Sequence, residues 1–222
     1  MNSKGGKSLI VGLDIGTSKV TALVGEYAPD EPIEVIGIGT HDSRGMRRGV
    51  VVDIDSTVQS IQRAVEEAEL MAGCEVRSVY ASISGSHVQC LNSSGVVPVR
   101  DGEVTQGDLD RVLEAAKAVA IPADQRILHA LAREYVLDNS QEDIKNPVGM
   151  TGVRLEVHAH LITCAQSAAQ NISKCVQRCG LQVDELIVSS LASSTAVLTN
   201  DERELGVVLV DMGAGTTDLA VF

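Results

Sequence analysis

Tryptophan is absent from this chain, phenylalanine occurs once and tyrosine three times. A protein so poor in rings offers little on which to stack nucleobases or box a quaternary ammonium, which argues against aromatic nucleic-acid platforms and ligand cages. Positive charge is scarce too: 18 Lys and Arg stand against 30 Asp and Glu, a formal net charge of −12. Apart from the short cluster Arg44, Arg47 and Arg48, the basic residues are scattered, and no nucleic-acid footprint forms. No apolar run reaches the roughly 18 residues that a membrane span needs. Residues 1–8, MNSKGGKS, lack the apolar centre of a signal peptide, so a cytoplasmic address is expected. The five cysteines, Cys74, Cys90, Cys164, Cys175 and Cys179, are odd in number and form no CxxC pair, which argues against a disulfide framework or a zinc site. Cys175 and Cys179 share a helix face, and His158 and His160 share a strand face. Buried thiols and ordinary strand residues are the better reading of both pairs.

What is present is a foldable core: 44% of the 222 residues are hydrophobic and 22% charged, enough for one large or two modest domains. Residues 8–13, 20–26 and 33–39 alternate as strands and read as a three-stranded meander. Residues 56–72 carry Val58, Ile61, Val65 and Ala68 at helical spacing, with Ser56 as N-cap and Gly73 as stop. The strand-like run 76–84 follows a helix, so it predicts a parallel crossover beside the meander. Glu66, Glu67 and Glu69 predict a solvated helix face.

From residue 85 the character changes. Short strands broken by a Ser-Ser-Gly turn precede a helix opened by Thr105 or Asp108 and carrying Leu109, Val112, Leu113 and Ala116. The strand-like runs RILHALAREYVL and GVRLEVHAHLITC flank a polar loop containing NPVGM. Residues 85–163 therefore read as an inserted α/β subdomain. A helix over 167–179, stopped by Gly180, returns the chain to the first layer; the strand VDELIV, the short helix SSLASSTAVLTN and a charged turn DERE follow.

Two short segments carry the chemistry. VGLDIGTSKV at 11–20 and VLVDMGAGTTDLAV at 208–221 each run strand, acid, apolar residue, glycine, hydroxyl, strand. The separation between Asp14 and Asp211 is far longer than the about 20–50 residue period of a solenoid and fits two similar lobes, each opening with a hairpin. Glycines let backbone N–H groups face a ligand without an intervening Cβ, and Thr or Ser hydroxyls add donors, which makes each turn a phosphate cradle. The first comprises Gly16, Thr17, Ser18 and Lys19; the second comprises Gly213, Ala214, Gly215, Thr216 and Thr217. A carboxylate beside polyphosphate repels it unless a divalent cation intervenes, so Asp14 and Asp211 are candidate Mg²⁺ holders. The rival reading, two glycine-bearing hairpins without a ligand, weakens when the acid stands in register in both. A Rossmann fingerprint requires its glycines to open a helix, and strand follows here; the Walker A spacing is absent.

At these residues the chain resembles the actin, sugar-kinase and heat-shock-70 ATPase superfamily, whose phosphate loops look like LDIGTSK and VDMGAGTTD. RGMRRGVVVDIDSTVQSI, VYASISGSHV, KNPVGMTGVRLEVHAHLIT, RCGLQVDELI and SLASSTAVLTNDERELGVVLVDMGAGTTDLAVF together resemble the FtsA family of bacterial cell-division proteins over nearly the whole chain. The NPVGM loop and the LASS helix are the most specific of these.

That resemblance implies an α/β, actin-like (ribonuclease H-like) first lobe with an inserted α/β subdomain termed 1C and the start of a second lobe. The implied division is 1–84 for the first part of subdomain 1A, 85–163 for 1C, 164–204 for the return into 1A and 205–222 for the beginning of 2A. It implies ATP and Mg²⁺ as ligands, self-association into filaments involving 85–163, and contact of late division proteins with 1C. The tubulin-like protein FtsZ and the membrane would be reached through a C-terminal subdomain and helix lying outside these residues, as would the adenosine pocket, because the chain stops inside the second hairpin. No nucleic acid is expected, and no catalytic residue: the stretch SSLASS at 189–194 offers hydroxyls where hydrolysing relatives present Glu or Gln. At most a weak ATPase follows. A sugar kinase or a chaperone-type ATPase of the same superfamily is the alternative. The first would need a carboxylate base at its substrate hydroxyl, and the second the missing Glu or Gln. His41, His87 and His129 lie apart and read as ordinary residues.

Overall fold

The computed structural model describes residues 8–29 and 31–222; the leader-free reading of 1–8 lies, but for Ser8, outside them. The chain forms two compact units, one of residues up to His87 with Ser167–Phe222, the other Val88–Gln166.

In the first unit, β1 (Ser8–Ile15), β2 (Lys19–Tyr27) and β3 (Glu34–Asp42) form the antiparallel meander. A two-residue pair, β4 (Met46–Arg47) and β5 (Val50–Val51), leads into α1 (Ile54–Ala72). The helix starts earlier than expected. Its N-cap is Asp53, whose carboxylate accepts the Ser56 N–H at 3.0 Å, so Ser56 lies inside the first turn. Gly73 closes it in the left-handed region at φ 65°. Nor is the acidic face merely solvated: Glu67 accepts the Thr40 N–H at 2.8 Å and Glu69 accepts the Val76 N–H at 2.6 Å, tying α1 to β3 and to the segment before β6.

The strand β6 (Ser78–Ile83) pairs parallel to β1, as the crossover reading predicted. After the second unit, α3 (Gln166–Arg178) buries Ala168, Ile172, Cys175 and Val176, and β11 (Gln182–Val188) adds parallel to β6. The sheet order is β11-β6-β1-β2-β3. Then come α4 (Ser189–Val197) and the hairpin β12 (Val208–Met212) with β13 (Thr217–Val221). The DERE segment is not a turn but a helix, α5 (Asn200–Leu205), because Thr199 and Glu202 form a reciprocal capping box.

The second unit is a sheet of order β7-β10-β8-β9 under α2. Its strands are β7 (Gln89–Pro98), β8 (Gln125–Leu137), β9 (Gln141–Ile144) and β10 (Arg154–Ala165), with α2 spanning Gln106–Lys117. Two expectations fail here. Ser93, Ser94 and Gly95 do not break the first strand but run through β7, because α2 lies so close that a Cβ on Gly95 would meet the Val112 carbonyl and the Ala116 nitrogen. The polar loop after residue 137 contains β9, paired Leu137↔Gln141. Val112, Ala116, Leu137, Leu155, Val157 and Leu161 form the centre of this unit's core, with Leu109 and Leu113 against it.

All five cysteines are free, and no helix among the described residues is long and apolar enough to cross a membrane. Cys175 is buried and Cys179 lies just past the end of α3; His158 bonds Glu134 at 2.8 Å and His160 bonds Asn92 at 2.9 Å, each with its own partner.

Candidate functional site

The two singled-out segments fold as matching hairpins. In the first, Asp14 pairs Thr21 and Ile15 pairs Val20, which leaves residues 16–19 as a turn closed by the Gly16 N–H donating to the Lys19 carbonyl at 3.0 Å. In the second, Asp211 pairs Asp218 and Met212 pairs Thr217, which leaves residues 213–216 closed by the Gly213 N–H donating to the Thr216 carbonyl at 2.9 Å. Acid, apolar residue, glycine and closing carbonyl correspond one for one. The N–H groups of Thr17 and Ser18, and of Ala214 and Gly215, take no part in either turn closure, which leaves them available to an anion.

The turns meet tip to tip. A Cβ built on Gly215 would lie 2.7 Å from Thr17 Oγ1 and 2.8 Å from Thr17 Cγ2, so only glycine allows the approach. They border a cavity of about 510 Å³, within the roughly 300–1,000 Å³ of small-molecule sites. Asp14, Gly16, Thr17, Ser18 and Lys19 line it from the first hairpin, and Asp211, Gly213, Ala214, Gly215 and Thr216 from the second. Thr217 does not. It lines a second cavity of about 450 Å³, which shares Thr17 and residues 213–216 with the first and adds Arg47 and Arg48.

Both expected acids are held by hydroxyls. Ser82 on β6 donates to Asp14 Oδ1 at 2.6 Å while accepting the Ile15 N–H at 2.9 Å, and Ser193 on α4 donates to Asp211 Oδ2 at 2.8 Å. The sequence reading did not single out these serines, nor Asp218, which faces Asp211 across the strand pair and lines the same cavity. Two like charges directly opposite are unfavourable unless something positive sits near them. Among the described residues no three His, Cys, Asp or Glu converge closely enough to hold a metal by themselves. The cavity's carboxylates are Asp14, Asp211 and Asp218, and a Mg²⁺ that keeps several waters needs only one or two such groups. From α4, Ser189, Ala192, Ser193 and Ala196 face the cavity, a wall of hydroxyls and methyls.

Residues 85–163 match the SHS2 domain inserted in FtsA. Over 214 residues the chain is 62% identical to the cell division protein FtsA of Pseudomonas aeruginosa, covering 96% of this chain and 51% of that protein. The chain is FtsA-like. Against the FtsA of Escherichia coli K12 it is 53% identical over 216 residues, covering 97% of this chain and 51% of that one, so it spans about half the length of the curated relatives it matches. Among solved structures, one from the PilM-PilN type IV pilus biogenesis complex superposes with a TM-score of 0.66 at 18% identity, over 96% of this chain and 57% of that one. That is a likeness of fold, and the actin-like α/β class that the resemblance over nearly the whole chain implied stands.

Proposed function

We propose that this chain is the phosphate-gripping part of an ATP-binding, actin-like cell-division scaffold. The observation that carries the reading is the meeting of two hairpins of identical register, Gly215 against Thr17, at the mouth of one cavity. In it, residues 16–19 and 213–216 supply backbone N–H and hydroxyl donors to the phosphates, Lys19 adds a cation, and Thr217 stands outside it on the second cavity. Asp14 and Asp211, oriented by Ser82 and Ser193, would hold Mg²⁺ through its waters, and the ion would screen the phosphate charge from these carboxylates. Hydrolysis is slow in this reading, because α4 presents serine and alanine to the cavity and no carboxylate or amide that could orient a water.

The finer roles rest on the FtsA relatives. The bound state polymerises with residues 85–163 as subdomain 1C taking part, between 1A segments at 1–84 and 164–204 and the start of 2A at 205–222. In full length it sits at the cytoplasmic face of the membrane at the division site, tethers the FtsZ ring and receives late division proteins through 1C. Nucleotide titration of the full-length protein with and without Mg²⁺ tests the site. Asp14→Ala is expected to abolish the Mg²⁺ dependence of ATP binding while the protein stays folded; Mg²⁺ dependence that survives in both Asp14→Ala and Asp211→Ala contradicts the assignment.

A further inference from the structure

The second cavity differs from the first in charge. Asp14, Asp211 and Asp218 line the first and not the second, whereas Arg47 and Arg48 line only the second. The arginines arrive on a tight hairpin: Arg47 pairs Val50, which leaves Arg48 and Gly49 as the two central residues, at φ 50° and 77°. Positive φ at both is the type I′ turn, where Asn, Asp and Gly predominate because other side chains strain the left-handed backbone. Gly49 answers to its surroundings, since a Cβ there would lie 2.7 Å from the Ser84 carbonyl. Arg48 holds the same left-handed backbone with a full side chain, and strain of this kind is retained where a side chain has work to do.

The hairpin is also registered to the phosphate turn. Gly49 N–H donates to Thr17 Oγ1 at 3.1 Å, and Thr17 is the residue that meets Gly215. At its base, the N–H groups of Val52 and Asp53 both donate to the Gly45 carbonyl, at 2.8 and 3.1 Å. Arg47 and Arg48 are exposed and ion-pair with no described residue, in a chain of net charge −12. Two unpaired guanidiniums beside four glycine-turn residues form a fork for an oxyanion.

We propose that Arg48, with Arg47 beside it, reads the terminal phosphate of a bound nucleoside triphosphate, so that this hairpin distinguishes tri- from diphosphate. The inference rests on the phosphate-site reading above. A ligand whose first phosphates lie along the two turns carries its last one into the arginine-lined cavity; a diphosphate leaves that cavity to water. The bond from Gly49 to Thr17 keeps the fork in register with the first turn.

The test is binding of Mg·ATP and Mg·ADP to the full-length protein by calorimetry, in the unaltered chain and in Arg48→Gly, Arg48→Lys and Arg47→Ala. Arg48→Gly removes the charge while relieving the backbone, so its melting temperature is expected to hold or rise. Losing a charge-assisted bond should weaken ATP about tenfold or more and leave ADP within about twofold, with Arg48→Lys intermediate because it keeps the charge and loses the fork. Equal weakening of both nucleotides, or an unchanged ATP-to-ADP ratio in all three variants, overturns the inference while leaving the phosphate site standing. Binding of neither nucleotide by the unaltered protein overturns the phosphate site itself, and the inference with it.

Discussion

Gly215→Ala is the sharpest perturbation of the hairpin junction. Its new methyl would stand 2.7 Å from Thr17 Oγ1 and 2.8 Å from Cγ2, both closer than packed atoms tolerate, and 3.0 Å from Cβ, at the tight limit. Thr17 cannot simply turn away without cost, because its Oγ1 accepts the Gly49 N–H at 3.1 Å. Either that bond, worth about 1 kcal/mol, is lost or the hairpins part; overpacking elsewhere costs about 1–3 kcal/mol. Both turns are at the surface, so little of this reaches global stability. It falls on the ligand that must touch both turns, and an expected penalty of about 1–3 kcal/mol corresponds to roughly 5- to 150-fold weaker ATP binding. Calorimetry of the full-length variant reads the affinity and a thermal melt reads the fold. Thr17→Gly added to Gly215→Ala removes the clashing atoms and should weaken ATP less than the two single losses combined, a coupling that a double-mutant cycle isolates. Unaltered ATP affinity in Gly215→Ala, with the melt also unaltered, would refute the idea that the turns close on one ligand.

Two further predictions concern the second unit. Gly95→Ala pushes a methyl into the backbone of α2 at Val112 and Ala116 and should destabilise by about 1–3 kcal/mol, whereas Gly107→Ala in the same helix, whose new Cβ meets nothing nearer than Thr105 Oγ1 at 3.7 Å, should stabilise by about 0.5 kcal/mol; urea titrations check both signs. Asp108, bonded first by the Thr105 hydroxyl, then by the Thr105 N–H and the Arg111 guanidinium, has its pKa lowered from 3.8 to about 2. Because the folded value lies below the unfolded one, this carboxylate's contribution, on the order of 1–2 kcal/mol, is complete above about pH 5 and disappears as pH falls through 4 toward 2. Asp108→Asn should therefore lose stability at pH 7 and show a shallower acid dependence between pH 5 and 2.

The meander, the parallel return of β6 and the helices α1, α2 and α3 were legible because each is long enough to show its period against glycine and capping signals. β4, β5 and β9 were not. Two residues carry no alternation, and QEDI of β9 has no apolar face to reveal it. The six-residue α5 announced itself only by Thr199 and Glu202, which a charge-dominated reading takes for a turn. Gly95 misled for a physical reason: the same residue that breaks strands also permits a helix to lie against one. At the site, the duplicated acid and glycine turns could be read directly, since the hairpin repeats within one chain. Ser82, Ser193 and Asp218 could not, because strand pairing and the placement of α4 bring them there. Arg48 was visible only as a member of a basic cluster; its left-handed backbone and its cavity are properties of the fold.

The central claim is that one nucleotide is gripped by both turns at once, and a crystal structure of the full-length protein with Mg²⁺ and a non-hydrolysable ATP analogue tests it most directly. The account predicts phosphate oxygens within hydrogen-bonding distance of N–H groups in both residues 16–19 and 213–216, with the ion between them and Asp14 and Asp211. Phosphates bound to one turn alone, or a nucleotide seated away from the junction of Thr17 and Gly215, would contradict it.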